Sequence, residues 1–428
     1  MSPSRRRFLQ VCGGLATGAM LGLAGCSSSC PDTSPPTPDA VVSFRDGPIG
    51  SFGSLPGGEW PSLHGNSGNT GYAPGTLPDS GLAVRWRTAI DLPATDTGGL
   101  STSAPAVAGE TVYVADEERV HALSLRTGAV QWTSDVISPT RFDSYQEAAA
   151  STVSPTVGPE GTVYVGATEA LIALNGDDGT VLWSIDGLKS VAAPVIGNGT
   201  VFGLGSRAMV AVDPDGTERW RRDVARPGPP TTPAFGSGTV VFSGDGTIHA
   251  FDAESGDDAW SSPMSVETHV AIEDGVVYAG TYEGLHAIDL ETGDDRWTFT
   301  RGEYRALQSP VITPDTIYAI EQPGEAGAAS FALDRTDGEP TARWCSSVGS
   351  GTVTAATDSI ALVATDLGEG PAARRALLGF SAARGQAHWA LAGGSYPRDW
   401  LTAPAVLDGA IVLATRGGTV VAIGSDSR

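Results

Sequence analysis

A pattern that recurs along the chain from Ser103 onwards constrains the fold more than any other feature. Each copy begins with a proline-containing stretch, continues with three short apolar runs separated by Gly or Asp turns, and ends with a Gly turn and a tryptophan. In the first copy these positions are Pro105, Gly128 and Trp132. A fixed period is typical of folds built from stacked repeats. Each copy therefore predicts one antiparallel sheet, with strands A, B, C and D in chain order.

Tryptophans give the number of sheets. Seven tryptophans each end one copy of the pattern, and an eighth lies before the first complete copy. In chain order they are Trp86, Trp132, Trp183, Trp220, Trp260, Trp297, Trp344 and Trp389. We interpret them as core residues that hold blade to blade, because truncating a buried Trp typically costs about 3 to 5 kcal/mol. The last copy supplies three strands, and residues 82–88 can supply its fourth. We predict an all-β fold, an eight-bladed β-propeller of four-stranded antiparallel blades, closed by an N-terminal strand that completes the last blade.

Prolines identify the innermost strand of each blade. Six copies place a proline at the start of strand A, namely Pro105, Pro155, Pro194, Pro233, Pro310 and Pro404. Proline cannot donate the N–H that a central strand needs, so it suits only an edge. Strand A is therefore predicted to face the central channel. Copies 5 and 7 differ, with Val270 and Thr354 at the equivalent position.

The repeats resemble those of the pyrroloquinoline-quinone (PQQ) repeat family. The similarity rests on the sequence AIDLETG at 287–293 before Trp297 and on AFDAESG at 250–256 before Trp260. It covers residues 80–424. The segment from Trp60 to Tyr72 is similar to the lead-in often found before the first strand in that family, and we expect it to pack against the ring.

The resemblance implies two functions from different classes. One is a non-catalytic scaffold, similar in kind to the BamB-like envelope lipoproteins, which bind other proteins through propeller loops. The other is a PQQ-dependent quinoprotein oxidoreductase, with the quinone and Ca²⁺ over the channel. Such enzymes usually carry an adjacent Cys-Cys pair, which this sequence lacks, and fold analogy alone does not establish an activity. We favour a scaffold without catalytic residues, cofactor or metal, whose partners are other envelope proteins.

The N-terminus is predicted to be an export signal. Arg5 and Arg6 belong to a motif that resembles the twin-arginine signal, and an apolar stretch too short to span a bilayer follows. The sequence LAGC at 23–26 resembles a lipobox. Residues 1–25 are therefore predicted to be a lipoprotein signal peptide, and Cys26 is predicted to carry lipid. The protein would be exported and anchored at the outer face of the cytoplasmic membrane.

Composition divides the rest of the chain. Residues 26–59 are predicted to be a flexible Ser/Pro-rich tether, and residues 60–79 a lead-in segment. The propeller follows at 80–424 and a short tail at 425–428. Cys30 lies in the predicted tether and Cys345 on a predicted strand, so we predict that both are unpaired.

Charge excludes one class of partner. The formal net charge is -23, with 49 acidic against 26 basic residues, and Lys189 is the single lysine. Such a surface repels nucleic acid, whose binding requires a basic footprint. Hydrated carboxylates with Arg in place of Lys favour a halophilic, haloarchaeal source. An ordinary acidic secreted protein is the alternative, and in either case we predict a monomer.

Connection lengths divide the ring into two faces. In an up-and-down blade the A–B and C–D turns share one face, and the B–C and D–A connections share the other. The long connections, at 91–102, 136–152, 321–330, 366–375 and 393–401, are all of the second kind. They carry Arg and aromatic residues, which dominate interface anchors. The candidate partner-binding residues are Arg141, Phe142, Tyr145, Arg301, Tyr304, Arg305, Tyr396, Arg398 and Trp400. Local pairing of these arginines with acids is the alternative.

Other motifs indicate structure rather than chemistry. His121, His249 and His286 each precede Ala on a predicted strand C, so they are interpreted as one repeat position and not as a metal cluster. Asp-rich C–D turns lack the spacing of an EF-hand and fit ordinary turn chemistry. Asn198-Gly199-Thr200 is both a glycosylation sequon and a hairpin-turn sequence.

Overall fold

The computed structural model describes residues 37–44, 50–92, 102–135, 137–138, 153–224, 231–300, 307–324, 327–348, 351–367, 374–392 and 401–425. Within these ranges regular structure consists of β-strands, which confirms the all-β prediction. A helix long and apolar enough to span a bilayer does not occur in the described part of the chain. Two strands precede the first complete blade, β1 (Ala40–Ser43) and β2 (Leu82–Ala89).

Blades 1 to 4 follow one another along the chain, each with strand A first. Blade 1 consists of β3 (Ala106–Ala108), β4 (Thr111–Ala115), β5 (Val120–Ser124) and β6 (Val130–Thr133). Blade 2 consists of β7 (Thr156–Val157), β8 (Val163–Gly166), β9 (Ala170–Leu174) and β10 (Val181–Asp186). Blade 3 consists of β11 (Val195–Gly197), β12 (Thr200–Leu204), β13 (Ala208–Val212) and β14 (Glu218–Asp223). Blade 4 consists of β15 (Ala234–Gly236), β16 (Thr239–Gly244), β17 (Thr247–Asp252) and β18 (Asp258–Ser262).

Blades 5 to 8 repeat the arrangement, and together the eight sheets confirm the predicted eight-bladed β-propeller. Blade 5 consists of β19 (Val266–Glu273), β20 (Val276–Thr281), β21 (Gly284–Asp289) and β22 (Asp295–Phe299). Blade 6 consists of β23 (Leu307–Ile312), β24 (Thr316–Gly324), β25 (Gly327–Asp334) and β26 (Ala342–Val348). Blade 7 consists of β27 (Gly351–Ala356), β28 (Ile360–Leu367), β29 (Arg374–Ser381) and β30 (Ala387–Ala392). Blade 8 consists of β31 (Ala405–Leu407), β32 (Ala410–Ala414) and β33 (Thr419–Ser425), with β2 as its fourth strand.

The middle strands of the blades are buried on both faces. Every residue of β8 and β9 is buried, as is every residue of β12 and β13. Their apolar residues pack against the neighbouring blades, so the core consists of layers between blades. This burial explains why the apolar runs do not alternate with polar residues.

The N-terminal strand closes the ring. The antiparallel pairing of β2 with β33 runs from Leu82 opposite Ser425 to Ala89 opposite Thr419. Trp86 on β2 is 1% exposed and packs in the core that joins blade 8 to blade 1. The strand thus removes the open edge of blade 8 and fills the adjoining core at the same time.

Seven of the eight tryptophans bind the next part of the ring in the same way. Each donates its indole N–H to a backbone carbonyl oxygen at 2.7 to 3.0 Å. The pairs are Trp86–Leu125, Trp132–Gly176, Trp183–Pro214, Trp220–Ala253, Trp260–Leu290, Trp344–Ala382 and Trp389–Pro78. At six of these seven, all but Trp389, a glycine in the neighbouring turn also lies on the ring: Gly293 has φ +78°, and a Cβ there would lie 2.7 Å from Trp260. Only glycine suits this position, because the backbone has a positive φ there and lies too close to the indole ring for a side chain.

The lead-in segment (residues 60–79) crosses the inner edges of the blades. Its carbonyl oxygens accept backbone N–H groups from strand A of six blades at 2.7 to 2.8 Å. The donor–acceptor pairs are Val107–Trp60, Val157–Pro61, Phe235–Ser67, Ile272–Gly68, Ile312–Thr70 and Ala356–Gly71. Buried backbone N–H groups must be paired, and strand A has a neighbouring strand on one side only. The lead-in segment therefore supplies the acceptors that the inner edges lack.

A pair of histidines lies between the lead-in segment and blade 5. The rings of His64 and His269 stack with their centroids 3.9 Å apart. Burial lowers the pKa of His269 to about 4. Burial, and to a lesser extent the positive charge of protonated His269, lowers the pKa of His64 well below its ordinary value. Both rings are therefore neutral at neutral pH.

Three expectations are wrong in part. Ala40–Ser43 lies inside the predicted tether, but it pairs in parallel with β30 as a fifth strand of blade 7, because its extended backbone finds an unpaired edge there. Cys345 is disulfide-bonded and not free. The segment 321–330 is largely strand, with Glu321 opposite Ala329, so the connection it was expected to form is short. The backbone pairing continues as far as Gly324 opposite Gly327, which accounts for the order of the segment.

We predict that deleting residues 82–88 destabilises the whole ring. Blade 8 would lose its outer strand, and the core between blades 8 and 1 would lose Trp86, whose removal alone should cost about 3 to 5 kcal/mol. Thermal unfolding should show a lower melting temperature for the single main transition. Deletion of residues 37–43, which removes β1 but leaves eight four-stranded blades, is the matched control. Equal melting temperatures for the two deletions would place the closure elsewhere.

We also predict an acid-dependent stability that depends on His269. The unfolded chain binds a proton on histidine near pH 6.5, whereas folded His269 does so near 4. The contribution of the buried neutral histidine to the free energy of unfolding is therefore complete above pH 6.5. It is lost as the pH falls towards 4, at about 1.4 kcal/mol per pH unit for each histidine. In urea unfolding at pH 7, 6 and 5, the free energy of unfolding of His269→Gln should fall less steeply with decreasing pH than that of the wild type. His388→Gln, outside this contact, should keep the wild-type slope, and a wild-type slope in His269→Gln would contradict the prediction.

Candidate functional site

The strand order assigns each connection to a face. We call the face where strand D ends and the next strand A begins the loop face, and the face of the A–B and C–D turns the turn face. Turns on the turn face are tight, as at Asn198 (φ 48°) and Gly199 (φ 76°), or at Asp274 (φ 48°) and Gly275 (φ 71°). Two successive positive φ values are typical of a type I′ hairpin turn. Asn198-Gly199 therefore serves as a turn, and its glycosylation stays an open expectation.

The nine candidate partner-binding residues lie outside the described residues, in the segments 139–152, 301–306 and 393–400. The strands on either side of these segments are described. They are β6 and β7, β22 and β23, and β30 and β31, each pair consisting of a strand D and the next strand A. The chain therefore leaves and re-enters the described structure at the loop face in all three cases. Cys26, Arg5 and Arg6 also lie outside the described residues.

The lead-in segment lies towards the turn-face end of the channel. Its partners Val107, Phe235 and Ile272 come one residue before the end of their strands A, next to the A–B turns. The backbone N–H groups of Gly75 and Thr76 donate to the side chains of Asp358 and Asp408, which lie in A–B turns. Among the described residues, nothing comparable crosses the loop-face end.

The loop-face end of strand A carries buried hydroxyl groups. Ser103 and Thr402 are 0% and 4% exposed. Their hydroxyl oxygens accept the backbone N–H groups of Ala115 and Ala414 on the adjacent strand B, at 2.9 and 3.2 Å. The same hydrogen bond from a strand B backbone N–H to a hydroxyl oxygen thus occurs in blades 1 and 8. These hydroxyls bind strand A to strand B, and we assign them to the fold.

A quinone centre requires metal ligands as well as space over the channel. The ranges that the structure describes contain no group of three or more His, Cys, Asp or Glu residues able to hold a metal ion. At the loop-face end of the channel, the Ser103 and Thr402 hydroxyls already bind the backbone. The described residues therefore do not fit a Ca²⁺–quinone centre, and we derive no reaction step through one.

The three repeat histidines occupy one position in three blades. His121, His249 and His286 each lie opposite a residue of strand B in the same register. His121 Nδ1 is 3.0 Å from Thr133 Oγ1, and His286 Nδ1 is 3.1 Å from Thr298 Oγ1. They lie in separate blades, which agrees with the interpretation as a repeated structural position.

Arginines also lie on the turn face, where they form ion pairs. Arg219, Arg296 and Arg343 each precede a blade tryptophan, and each binds the aspartate that opens the C–D turn of its own blade. The guanidinium of Arg296 is the main cause that lowers the pKa of Asp289. Cations are therefore present on the turn face as well, and these three pair locally. The Arg-Trp dipeptide after an Asp turn is the sequence signal that could have revealed them.

Known proteins share this architecture. In Yersinia pestis the outer membrane protein assembly factor BamB is 29% identical over 204 residues, 42% of this chain and 51% of that protein. The BamB of Moranella endobia is 25% identical over 210 residues, 44% of this chain and 49% of that protein. Each match thus spans about half the length of the relative. The BamB structure from Moraxella catarrhalis has a TM-score of 0.59 at 17% identity, covering 81% of this chain and 98% of that one.

Enzymes of the same fold are equally similar in shape. The quinohemoprotein alcohol dehydrogenase ADHIIG of Pseudomonas putida HK5 has a TM-score of 0.63 at 15% identity, covering 87% of this chain and 81% of that one. At such identities the likeness concerns the fold alone. The family model described as outer membrane protein assembly factor BamB matches residues 81–203 and 205–366, well over half of the chain. The chain therefore belongs to this family of PQQ-like repeat β-propellers.

Proposed function

We propose that the protein is a non-catalytic scaffold of the cell envelope that binds other envelope proteins through the loop face. The observation that carries this proposal is the lead-in segment, which occupies the turn-face end of the channel. The described strands on either side of the segments that carry the candidate Arg and aromatic residues meet those segments at the opposite face. Arg, Tyr and Trp are the residues that most often anchor protein interfaces.

The family supports a role in assembly. The two relatives are named outer membrane protein assembly factors, and we extend an assembly role to this chain by similarity. Each match covers about half of the relative, so the partners of those relatives are not assigned to this chain. The acidic composition favours partners whose contact survives in high salt, which requires aromatic as well as charged anchors.

The enzyme alternative has no separate support in the described residues. Its basis is the fold shared with the quinohemoprotein dehydrogenase, at 15% identity. Propeller folds hold many unrelated activities, so the fold by itself does not select one. We therefore retain the non-catalytic function.

We further propose that the protein is exported and held by lipid on Cys26 at the outer face of the cytoplasmic membrane. Cys26→Ser should release the protein into the medium, because acyl chains on that residue would be the anchor. Immunoblots of membrane and medium fractions measure the distribution. Cys30→Ser, four residues further on, should remain in the membrane fraction. Full membrane retention of Cys26→Ser would refute the lipid anchor.

The loop face can be tested by combining Arg301→Ala, Tyr304→Ala and Arg305→Ala. Truncating such anchors commonly costs about 2 kcal/mol each, or roughly a 30-fold loss of affinity per site. Quantitative capture of cross-linked partners from intact membranes should therefore fall to background, while the melting temperature stays at the wild-type value.

The matched control combines Asp177→Asn with Glu254→Gln. Both carboxylates are exposed in C–D turns on the turn face, and the control should capture partners as the wild type does. Capture lost from the control and kept in the triple variant would show that the partner binds the turn face.

A further inference from the structure

Trp297 departs from the contact that the other seven blade tryptophans make. Its indole Nε1–H has no hydrogen-bond partner among the described residues, whereas the other seven all have a backbone carbonyl. The glycine that should lie on its ring is Gly338, in the C–D turn of blade 6. A Cβ on Gly338 would meet nothing within 4 Å, so this glycine does not touch the indole.

An insertion in the turn explains the departure. The C–D turn of blade 5 is closed by the backbone bond from Asp289 N–H to Asp294 O, but that of blade 6 is closed from Asp334 N–H to Thr341 O. The turn of blade 6 is therefore two residues longer, through Glu339 and Pro340. Arg335 also stands where blade 5 has the buried Leu290. The longer turn removes both the glycine and the carbonyl acceptor from Trp297.

A cavity of about 420 Å³ lies between Trp297 and the longer turn of blade 6. Its lining residues are Asp274, Val276, Tyr278, Arg296, Trp297, Pro314, Arg335, Thr336 and Asp337. Tyr278 forms the inner wall beside the indole, with the two ring centroids 6.1 Å apart.

Three of the four charged residues in the wall are already paired. Arg335 donates to Asp274 at 2.5 Å, to the Tyr278 hydroxyl at 3.3 Å, and to the carbonyl oxygens of Thr313 and Pro314. Arg296 binds Asp289. Asp337 adds an exposed carboxylate to the wall. The cavity also presents an apolar ring face and one N–H donor, the two features that bind a glycine turn at six other blade tryptophans.

We propose that the cavity beside Trp297 binds a glycine-containing turn of a partner polypeptide. The partner's glycine takes the place of Gly293 on Trp260, and a partner carbonyl accepts the Trp297 N–H. This interaction surface lies on the turn face between blades 5 and 6. It goes beyond the proposed scaffold function and does not depend on the loop face.

The probe is a fluorescent cyclised peptide of residues 286–296, which carries the turn that binds Trp260 in this protein. Anisotropy titration of the full-length protein should show saturable binding with a Kd below about 1 mM. A peptide with Val in place of the glycine should fail to bind, because Val disfavours a positive φ and clashes with the indole. Equal binding of both peptides, or binding of neither, would overturn the proposal.

Two variants of the protein locate the contact. Trp297→Phe keeps an aromatic ring but removes the N–H donor, and it should bind the peptide about 3- to 10-fold more weakly. Deleting Glu339 and Pro340 restores the spacing found in blade 5, so that Gly338 can lie on Trp297. This deletion should abolish peptide binding and raise the melting temperature. Undiminished binding by the deletion variant would refute the site.

The proposed loop-face site and the proposed site beside Trp297 can be refuted independently of each other. The triple variant Arg301→Ala, Tyr304→Ala and Arg305→Ala should bind the peptide as the wild type does. Trp297→Phe should still capture envelope proteins through the loop face. Loss of peptide binding in the triple variant would show that the peptide occupies the loop face and not the cavity beside Trp297.

Discussion

The contact between an indole of one blade and the glycine turn of the next is the interaction on which the ring depends. Each sheet is small, and a single four-stranded sheet cannot bury both of its faces. The indole fills the gap between two sheets, and its N–H satisfies a carbonyl oxygen at the end of that gap, as in Trp260 with Leu290. A positive φ at Gly293 permits this approach. Repetition of the contact fixes the spacing and order of the blades.

Backbone hydrogen bonding explains why chain outside the repeats is part of the ring. Strand A has unpaired N–H groups on its inner side, and the lead-in segment pairs six of them. The outer edge of blade 8 would be unpaired as well, and β2 covers it. Both additions come from the same N-terminal stretch. The segment that completes the fold thus also covers the turn-face end of the channel.

Much of this fold could be predicted because tryptophan, proline and glycine have fixed physical roles in each repeat. The closure by Trp86 followed from counting strands and tryptophans, and the inner position of strand A followed from its prolines. Contacts between distant segments could not be predicted in the same way. The pairing of Ala40–Ser43 with β30 and the stacking of His64 on His269 depend on the folded ring. No local pattern encodes them. The candidate loop residues remain a prediction, since they lie outside the described ranges.

A repeat protein reveals its special positions by comparison with itself. Seven tryptophans define what the indole contact requires, so the eighth can be judged without reference to another protein. The spacing from the turn glycine to the next tryptophan is four residues at Gly293 and Trp297 but six at Gly338 and Trp344. That difference is visible in the sequence, yet its meaning appears only when the cavity beside Trp297 is seen. A lost contact of this kind costs stability, and internal comparison therefore identifies the Trp297 interface as the place in the ring where a contact from outside the chain would add most.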